Sequence, residues 1–291
     1  MTRGIAHLVL AVRDLDQSRG VYEQLGFTVT PKAQHPFGTE NSLVQLDACF
    51  LELLAIADPD LFPEAETGAF SFPRFNEAYL EKHEGMTMLV LDSTDAAADR
   101  TTFAAAGLKI YPPFEFGRDA KQPDGSTARV GFKLAFATDP HAPEAGYFTC
   151  QQLAPEFFWK PEFQRHENTA KTVTEVVMIS EAPNRHWKFF EGFVGTDEIQ
   201  ETETGLLIET SRGSVRTERP DGVAETWGTA IELADYPSPR FAAFVIGVSE
   251  IEETRRCLEA GGFGFFELAE RLIVPASEAM GTAIAFETLG S

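Results

Sequence analysis

Hydrophobic and polar positions in the first 56 residues follow a pattern that predicts a strand, a helix, a strand, a loop and two more strands. An apolar run at 5–12 predicts the first strand, and a segment with one polar face follows it up to Gly26. Asp14 is the expected N-cap of this helix, because its carboxylate can accept from the free N–H groups of the first turn. Gly26 is the expected residue after the helix, because it has no Cβ and reaches the left-handed conformation without strain. The pattern predicts a βαβββ module over residues 4–57.

The strand–helix–glycine opening of this module recurs at 86–113, at 173–195 and at 241–265. In all four copies a closing glycine follows a helix-starting residue after about three and a half helical turns. The expected starters and closing glycines are Asp14 and Gly26, Thr94 and Gly107, Pro183 and Gly195, and Ser249 and Gly261. Such a repeat predicts the architecture better than any single motif.

One module cannot bury both faces of its sheet, whereas two modules can curl their sheets around a shared, barrel-like cleft. The prediction is therefore an α+β fold in which four βαβββ modules pair into two barrel-like domains. The first domain is expected over residues 1–153, with modules at 4–57 and 86–153, and a linker over 154–171. The second is expected over 172–291, with modules at 172–236 and 240–289. A connecting helix is predicted near 73–83, and turns at Pro123-Asp124-Gly125 and at Asp139-Pro140.

Composition excludes several classes of partner. The chain has 291 residues, 24 Lys and Arg against 45 Asp and Glu, and a formal net charge of −21. This balance argues against nucleic acid and anionic membranes, both of which need clustered cationic side chains. The acidity indicates solubility, with a cationic partner as the alternative. The three cysteines, Cys49, Cys150 and Cys257, are widely separated, which fits a reducing cytoplasm, and no apolar run approaches the length of a membrane span.

Several segments resemble the glyoxalase-like branch of the vicinal oxygen chelate superfamily. They are HLVLAVRDLDQSRGVYEQLGF, HPFGTENSLVQL and CFLELLAI in the first module, and CQQLAPEFFWKPEFQRHENTA around the linker. The resemblance implies paired βαβββ modules and, in many members, a divalent metal ion in the cleft. Members include glyoxalase I, extradiol dioxygenases, epimerases and metal-free drug-binding proteins, so the fold alone does not select a reaction.

His7 and Glu52 are the candidate metal ligands. On the first strand His7 is expected to share a face with Ile5, Val9 and Ala11 and to point into the cleft. Glu52 lies in the apolar run 50–54, where a lone carboxylate is costly to bury unless it is paired or bound to metal. The resemblance places metal ligands on the first and last strands of each module, where both residues lie. The alternative is a structural His–Glu pair that lines a metal-free pocket.

The other modules supply few further ligands. Met88 and Cys150 match these positions in the second module, and Ala243 and Ala285 match them in the fourth. The third module offers Glu175 and Glu232, which would join His7 and Glu52 if the first and third modules paired. Pairing of neighbouring modules is the simpler expectation.

Four residues are candidates for substrate binding. Asn41 and His35, in the segment HPFGTEN, could hydrogen-bond a substrate oxygen. Cys150 and Gln152 share a strand face and are expected to look into the cleft. The remaining histidines, His83, His141, His166 and His186, are expected mainly at the surface. Phe148, Phe157, Phe158 and Trp159 are interpreted as packing residues.

Two functional hypotheses follow. The first is a divalent-metal-dependent lyase, isomerase or dioxygenase that acts on a small oxygenated molecule, with Fe, Mn, Ni or Zn as the metal, Glu52 as a catalytic carboxylate and no organic cofactor. The second is a metal-free binding protein of the bleomycin-resistance type, whose phenylalanine-rich cleft holds a hydrophobic or cationic small molecule without turnover. Either protein would be a cytoplasmic monomer or homodimer.

Overall fold

The structure is a computed structural model that describes residues 2–64, 67–121, 125 and 127–290. Apart from Gly125, the turn predicted at Pro123-Asp124-Gly125 lies outside the described residues. The described chain forms mixed sheets with short helices. Its strands, numbered in chain order, are β1 Ile5–Ala11, β2 Ala33–Gln34, β3 Thr39–Gln45, β4 Phe50–Ile56, β5 Gly85–Asp92, β6 Lys109–Ile110, β7 Phe114–Lys121, β8 Thr127–Thr138, β9 Gly146–Gln152, β10 Ala170–Ile179, β11 Ile199–Glu201, β12 Gly205–Glu209, β13 Ser214–Glu218, β14 Arg240–Val248, β15 Phe266–Leu268, β16 Arg271–Val274 and β17 Ala283–Thr288.

The α-helices are short and lie between the strands. They are α1 Leu15–Gln24, α2 Phe72–Leu80, α3 Ala96–Ala105, α4 Pro155–Phe158, α5 Trp187–Phe190, α6 Pro220–Trp227 and α7 Ile251–Gly261. Short 3-10 segments accompany them, and a π-helical turn at Glu191–Gly195 extends α5. None of the helices in the described residues is long and apolar enough to cross a bilayer.

Helix boundaries follow the expected capping chemistry with small shifts. The Asp14 carboxylate accepts from the backbone N–H of Gln17, and Gly26 follows α1 with φ +89°. The N-cap of α3 is Asp95 rather than Thr94, because its carboxylate reaches two N–H groups of the first turn. The left-handed residue after α7 is Gly262 rather than Gly261.

Neighbouring modules share a sheet. The first and second modules form a nine-stranded sheet in the order β2-β3-β4-β1-β5-β9-β8-β6, with β7 paired to β8. The third and fourth modules form an eight-stranded sheet in the order β11-β12-β13-β10-β14-β17-β16-β15. Strands β1 and β5 run antiparallel at the centre of the first sheet, and β10 and β14 do so in the second. The fold is therefore the predicted α+β architecture of four paired modules, although its sheets are open rather than closed barrels. The predicted domain boundaries stay a prediction.

Buried apolar side chains form three clusters. The largest lies between the two sheets and includes side chains from both, such as Leu8, Val176 and Phe244. A second cluster, around Phe132 and Phe148, fills the concave face of the first sheet, and a third, around Trp227, fills that of the second. Helices α1, α3 and α7 contribute to the shared core, so both concave faces turn away from it.

A β-bulge changes the expected face of one residue. The pairing of β1 with β5 shifts register between Ile5 and His7. Ile5 therefore belongs to the core between the sheets, whereas His7 and Val9 face the concave side. The prediction that Ile5 shares the face of His7 is wrong, because the extra residue of a bulge interrupts the two-residue alternation.

The second concave face is covered by a helix of the same chain. Helix α6 lies on it, and its Trp227 is buried in the apolar cluster with Val177 and Val245. Beside this cluster Glu175 occupies the place of His7, since it also follows a bulge on the first strand of its module. Arg216 occupies the place of Glu52, since it pairs with Val177 as Glu52 pairs with Val9.

Charged groups in this second face neutralise one another. Arg216 bonds Glu175 at 3.1 Å, and Arg271 bridges Glu175 at 3.2 Å and Glu287 at 2.8 Å. Glu232, which the sequence offered as a ligand only if the first and third modules paired, is exposed at the N-cap of a 3-10 segment after α6 and does not lie on a strand. The sequence pattern missed α6, which stands where the end of the third module was expected.

Candidate functional site

A small cavity lies within the concave face of the first sheet. Its volume is about 40 Å³, and it contains a polar cluster enclosed by aromatic rings. It is lined by His7, His35, Phe37, Asn41, Leu43, Phe50, Glu52, Phe72, Phe116, Phe132, Leu134, Phe148, Cys150 and Phe158. Five of the six predicted site residues therefore line one cavity.

Glu52 lies at the centre of the polar cluster. Strand β4 carries it in the run Phe50–Ile56, and its side chain is only 8 % exposed. Its Oε1 accepts from Asn41 Nδ2 at 2.5 Å and lies 3.8 Å from His35 Nε2, whereas Oε2 lies 3.7 Å from His7 Nε2. A carboxylate at this depth is a strong acceptor for any hydrogen-bond donor that enters the cavity.

His7 is a neutral imidazole. It stacks on Phe50 at 4.2 Å and meets the edge of Phe148. Burial lowers its pKa from 6.5 to about 3, because a charged imidazole would lose its hydration. Its Nδ1 has no hydrogen-bond partner among the described residues. A neutral ring can offer Nε2, the nitrogen that faces Glu52, to a ligand in the cavity.

The loop before β3 fixes His35. Its backbone N–H donates to the carbonyl of Thr39 at 2.8 Å, and its Nδ1 lies 2.8 Å from the Thr39 hydroxyl. Gly38 turns the loop with φ +83°, and a Cβ there would lie 2.2 Å from the carbonyl of Asp58. His35 Nε2 is directed toward the amide of Asn41 at 3.3 Å, which connects both predicted substrate-binding residues to Glu52.

Cys150 lies on β9 at the wall of the cavity. Burial, together with the charge of Glu52, raises the pKa of its thiol, so it remains protonated. Met88, on the first strand of the second module, is buried in the same cluster and packs on Gly146. The second module thus contributes a thiol and a thioether, neither of which is a good ligand for a hard metal ion.

The cavity offers too few protein ligands for a metal ion. His7 and Glu52 are ligands of the right kind, and a neutral imidazole binds a metal without first losing a proton. Among the described residues, however, no group of three or more His, Cys, Asp or Glu side chains is arranged to hold an ion. Catalytic zinc sites use three protein ligands. These residues therefore do not fit a stable metal site built from protein ligands alone.

Gln152 does not line the cavity. It is half-buried, and its Oε1 accepts from the indole N–H of Trp159 at 3.1 Å. Gln45 holds the same segment, because its amide donates to the carbonyl of Phe158 at 2.9 Å and accepts from the N–H of Lys160 at 3.0 Å. Two glutamine side chains thereby fix Phe158 against the cavity.

Phe158 separates the cavity from a larger groove. The groove has a volume of about 500 Å³, and Leu43 and Phe158 line both spaces. Phe158 packs against Phe50 and Phe132 at ring distances of 5.2 and 5.8 Å, whereas Phe157 lines only the groove. Phe148 and Phe158 were interpreted as packing residues, and both line the cavity. In the sequence, only the phenylalanine-rich segment of the linker indicates that Phe158 forms part of the cavity wall.

One histidine expected at the surface is buried. The Nδ1 of His186 lies 2.6 Å from Asp139 Oδ2, and its Nε2 lies 2.8 Å from the Ser180 hydroxyl. Asp139 follows β8 of the first sheet and Ser180 follows β10 of the second, so the contact joins the two halves. His166 is also half-buried and uses both ring nitrogens, with the N–H of Thr28 and the carbonyl of Gln45.

Comparison with protein families identifies a match over most of the chain. A family model described as a glyoxalase-like domain matches residues 5–194, which include the whole cavity. A comparison with curated protein sequences finds no significant match.

Solved structures share the fold at low sequence identity. A hypothetical protein from Staphylococcus aureus superimposes with a TM-score of 0.69 at 14 % identity, over 99 % of this chain and 100 % of that one. A mutant of 4-hydroxymandelate synthase from Streptomyces coelicolor gives 0.61 at 11 %, over 100 % and 94 %. The Mn(II)-bound glyoxalase from Novosphingobium aromaticivorans gives 0.58 at 10 %, over 99 % and 83 %.

Proposed function

Because the chain belongs to the glyoxalase-like domain family of the vicinal oxygen chelate superfamily, we propose that its first concave face binds a small oxygenated molecule and that Glu52 moves a proton within it. The reaction class is that of a lyase or isomerase which abstracts a proton next to a carbonyl. The observation that carries this proposal is the Glu52 carboxylate, buried in a phenylalanine-lined cavity with Asn41, His7 and His35 around it.

Glu52 is the base in this scheme. Its Oε1 accepts from Asn41, and in this scheme Oε2, which is on the side of His7, takes the proton from carbon. Oε2 lies 3.7 Å from His7 Nε2, so both atoms are close enough to contact the same ligand in the cavity. A neutral His7 with its proton on Nε2 donates to the carbonyl oxygen and stabilises the enolate charge as it develops. In a hydroxyketone Glu52 then returns the proton to the former carbonyl carbon, while the hydroxyl proton moves to the former carbonyl oxygen. In a ketone with a leaving group on the β-carbon, the enolate re-forms the carbonyl and a C=C bond as the leaving group departs with the proton from Glu52.

Cavity size restricts the substrate. A volume of about 40 Å³ is well below the ~150 Å³ of a cavity that binds benzene. The enclosed space therefore suits dicarbonyl compounds and hydroxyketones of a few heavy atoms. A longer substrate requires Phe158 to move toward the groove.

Hydrogen–deuterium exchange tests the proposal without knowledge of the product. A panel of small hydroxyketones and dicarbonyl compounds is incubated with the protein in D2O, and C–H exchange is followed by NMR. We expect exchange with at least one compound, and its loss in Glu52→Gln, with a Kd for that compound within about threefold of wild type. The matched control is Glu115→Gln, which neutralises a 58 % exposed carboxylate on β7. Exchange that persists in Glu52→Gln would remove Glu52 from the role of base.

Binding without turnover is the second candidate function. The aromatic lining of the cavity supports it, since such a lining suits the retention of a hydrophobic molecule. It predicts compounds that raise the melting temperature of the wild type but show no exchange. Metal-dependent chemistry, with His7 and Glu52 as ligands, is tested separately by metal content.

A further inference from the structure

A second hollow lies between the two halves of the chain, away from the first concave face. It has a volume of about 570 Å³ and receives residues from both halves. It is lined by Ala106, Gly107, Leu108, Lys109, Thr138, Asp139, Pro140, His141, Asn184, Arg185, Trp187, Lys188 and Phe189, and is called the interdomain groove below. Its volume lies within the range of small-molecule sites.

The interdomain groove is cationic in a strongly acidic protein. Lys109, Arg185 and Lys188 are exposed, and none of them forms an ion pair with another residue in the described part of the chain. His141 adds an exposed imidazole. Elsewhere, cations such as Arg13, Lys82 and Lys133 are paired with glutamates. Three cations without carboxylate partners therefore converge on one hollow, while the chain as a whole carries −21.

Among the described residues that line the groove, the one acidic side chain is engaged by neighbouring protein groups. Asp139 is buried, with its side chain only 1 % exposed. Its Oδ2 lies 2.6 Å from His186 Nδ1, and its Oδ1 accepts from the backbone N–H of His141 at 2.9 Å. Both oxygens are directed into the protein. The adjoining hollows contain Glu191 and Glu201, which lie outside the groove itself.

We propose that the interdomain groove binds a phosphate-bearing small molecule. Arginine and lysine side chains are the usual partners of phosphate oxygens, and a groove between low-dielectric walls concentrates their field. The half-buried ring of Trp187 provides an apolar surface for the organic part of the ligand. Ligand contacts to Lys109 on β6 of the first sheet and to Arg185 before α5 would join the two halves.

Isothermal titration with two probes, pyrophosphate and phenyl phosphate, tests this site at low ionic strength. We expect saturable binding of one molecule per chain, weakened about tenfold or more in the Arg185→Gln, Lys188→Gln double variant. The control is a Lys82→Gln, Lys133→Gln double variant, which removes the same charge from exposed positions elsewhere and should bind within about twofold of wild type. Trp187→Leu should weaken phenyl phosphate more than pyrophosphate.

Four outcomes would overturn the proposal. These are no saturable binding by the wild type, an equal loss in the control variant, equal affinity for sulfate at the same ionic strength, and a change of oligomeric state in the Arg185→Gln, Lys188→Gln variant without loss of phosphate binding. The last would identify the groove as a contact between protein chains. Circular dichroism of every variant separates loss of binding from loss of fold. The site does not depend on the function of the first concave face, so either proposal can fail alone.

Discussion

The side-chain amide of Asn41 donates to the carboxylate of Glu52 across 2.5 Å, from one strand of a hairpin to the next. Hydrogen bonds to a buried charge stabilise more than neutral ones. We expect Asn41→Ala to lower the free energy of unfolding by about 2 kcal/mol in the wild type. In a Glu52→Gln background the same change should cost less than half of that, because the acceptor is neutral. Urea unfolding of the four proteins of this double-mutant cycle measures the coupling, and additive effects would contradict it.

The buried imidazole of His7 makes stability depend on pH. Its pKa in the native protein is about 3, against 6.5 in the unfolded chain. Below pH 6.5 His7 is protonated in the unfolded state but stays neutral in the native state. The free energy of unfolding therefore falls as the pH falls toward 3. This amounts to ~1.4 kcal/mol per pH unit, or about 2 kcal/mol between pH 7 and pH 5. His7→Gln should lose about 2 kcal/mol less than the wild type over that interval in urea unfolding. Equal losses would show that His7 titrates normally.

Phe158 limits the length of the ligand. Phe158→Ala should join the cavity to the groove and extend exchange to substrates with an aryl or alkyl tail. Its loss of core packing should cost about 3 kcal/mol. Phe157→Ala is the matched control, because Phe157 is its neighbour, is 40 % exposed and lines only the groove. Competition binding with a series of ketones of increasing length measures the effect. If both variants preferred ketones of the same length, Phe158 would not be the residue that separates the cavity from the groove.

Measuring the metal content of the purified protein tests whether His7 and Glu52 hold a metal ion. Protein purified without chelator or affinity tag should contain well below one equivalent of Fe, Mn, Ni or Zn by elemental analysis, since the described residues offer no three-ligand group. His7→Ala should not change that content. Near-stoichiometric metal in the wild type that disappears in both His7→Ala and Glu52→Ala would instead favour the metal-dependent reaction.

Trp227 keeps the second concave face closed. Trp227→Ala should cost about 4 kcal/mol, because a large buried ring is removed from a packed cluster. Exchange by the first concave face should be unchanged per folded molecule. Trp227→Phe is the milder variant if the alanine protein does not fold. A large loss of exchange in folded Trp227→Phe would show that the second half contributes to the reaction.

Local chemistry made much of this site readable from sequence. His7 and Glu52 are predictable because each is a polar residue in an apolar strand and the family resemblance puts ligands on these strands. His35 and Asn41 are predictable because Gly38 signals a turn in a segment that carries the same resemblance. The face of Ile5 was misassigned, since a bulge leaves no mark in the hydrophobic pattern. Gln152 was misplaced in the cleft for a different reason: its partner, Trp159, belongs to a linker whose path the pattern does not define. The burial of His186 depends on Asp139, 47 residues away, which no local pattern reveals.

Helix α6 and the Arg–Glu network that fill the second concave face make the duplicated fold structurally asymmetric. A chain built from two similar halves would ordinarily be expected to saturate in two steps or to show cooperativity between equivalent pockets. Within the described residues the second concave face offers no pocket equivalent to the first, so under the proposed function ligand occupancy of a single chain should follow a simple hyperbola with one molecule per chain.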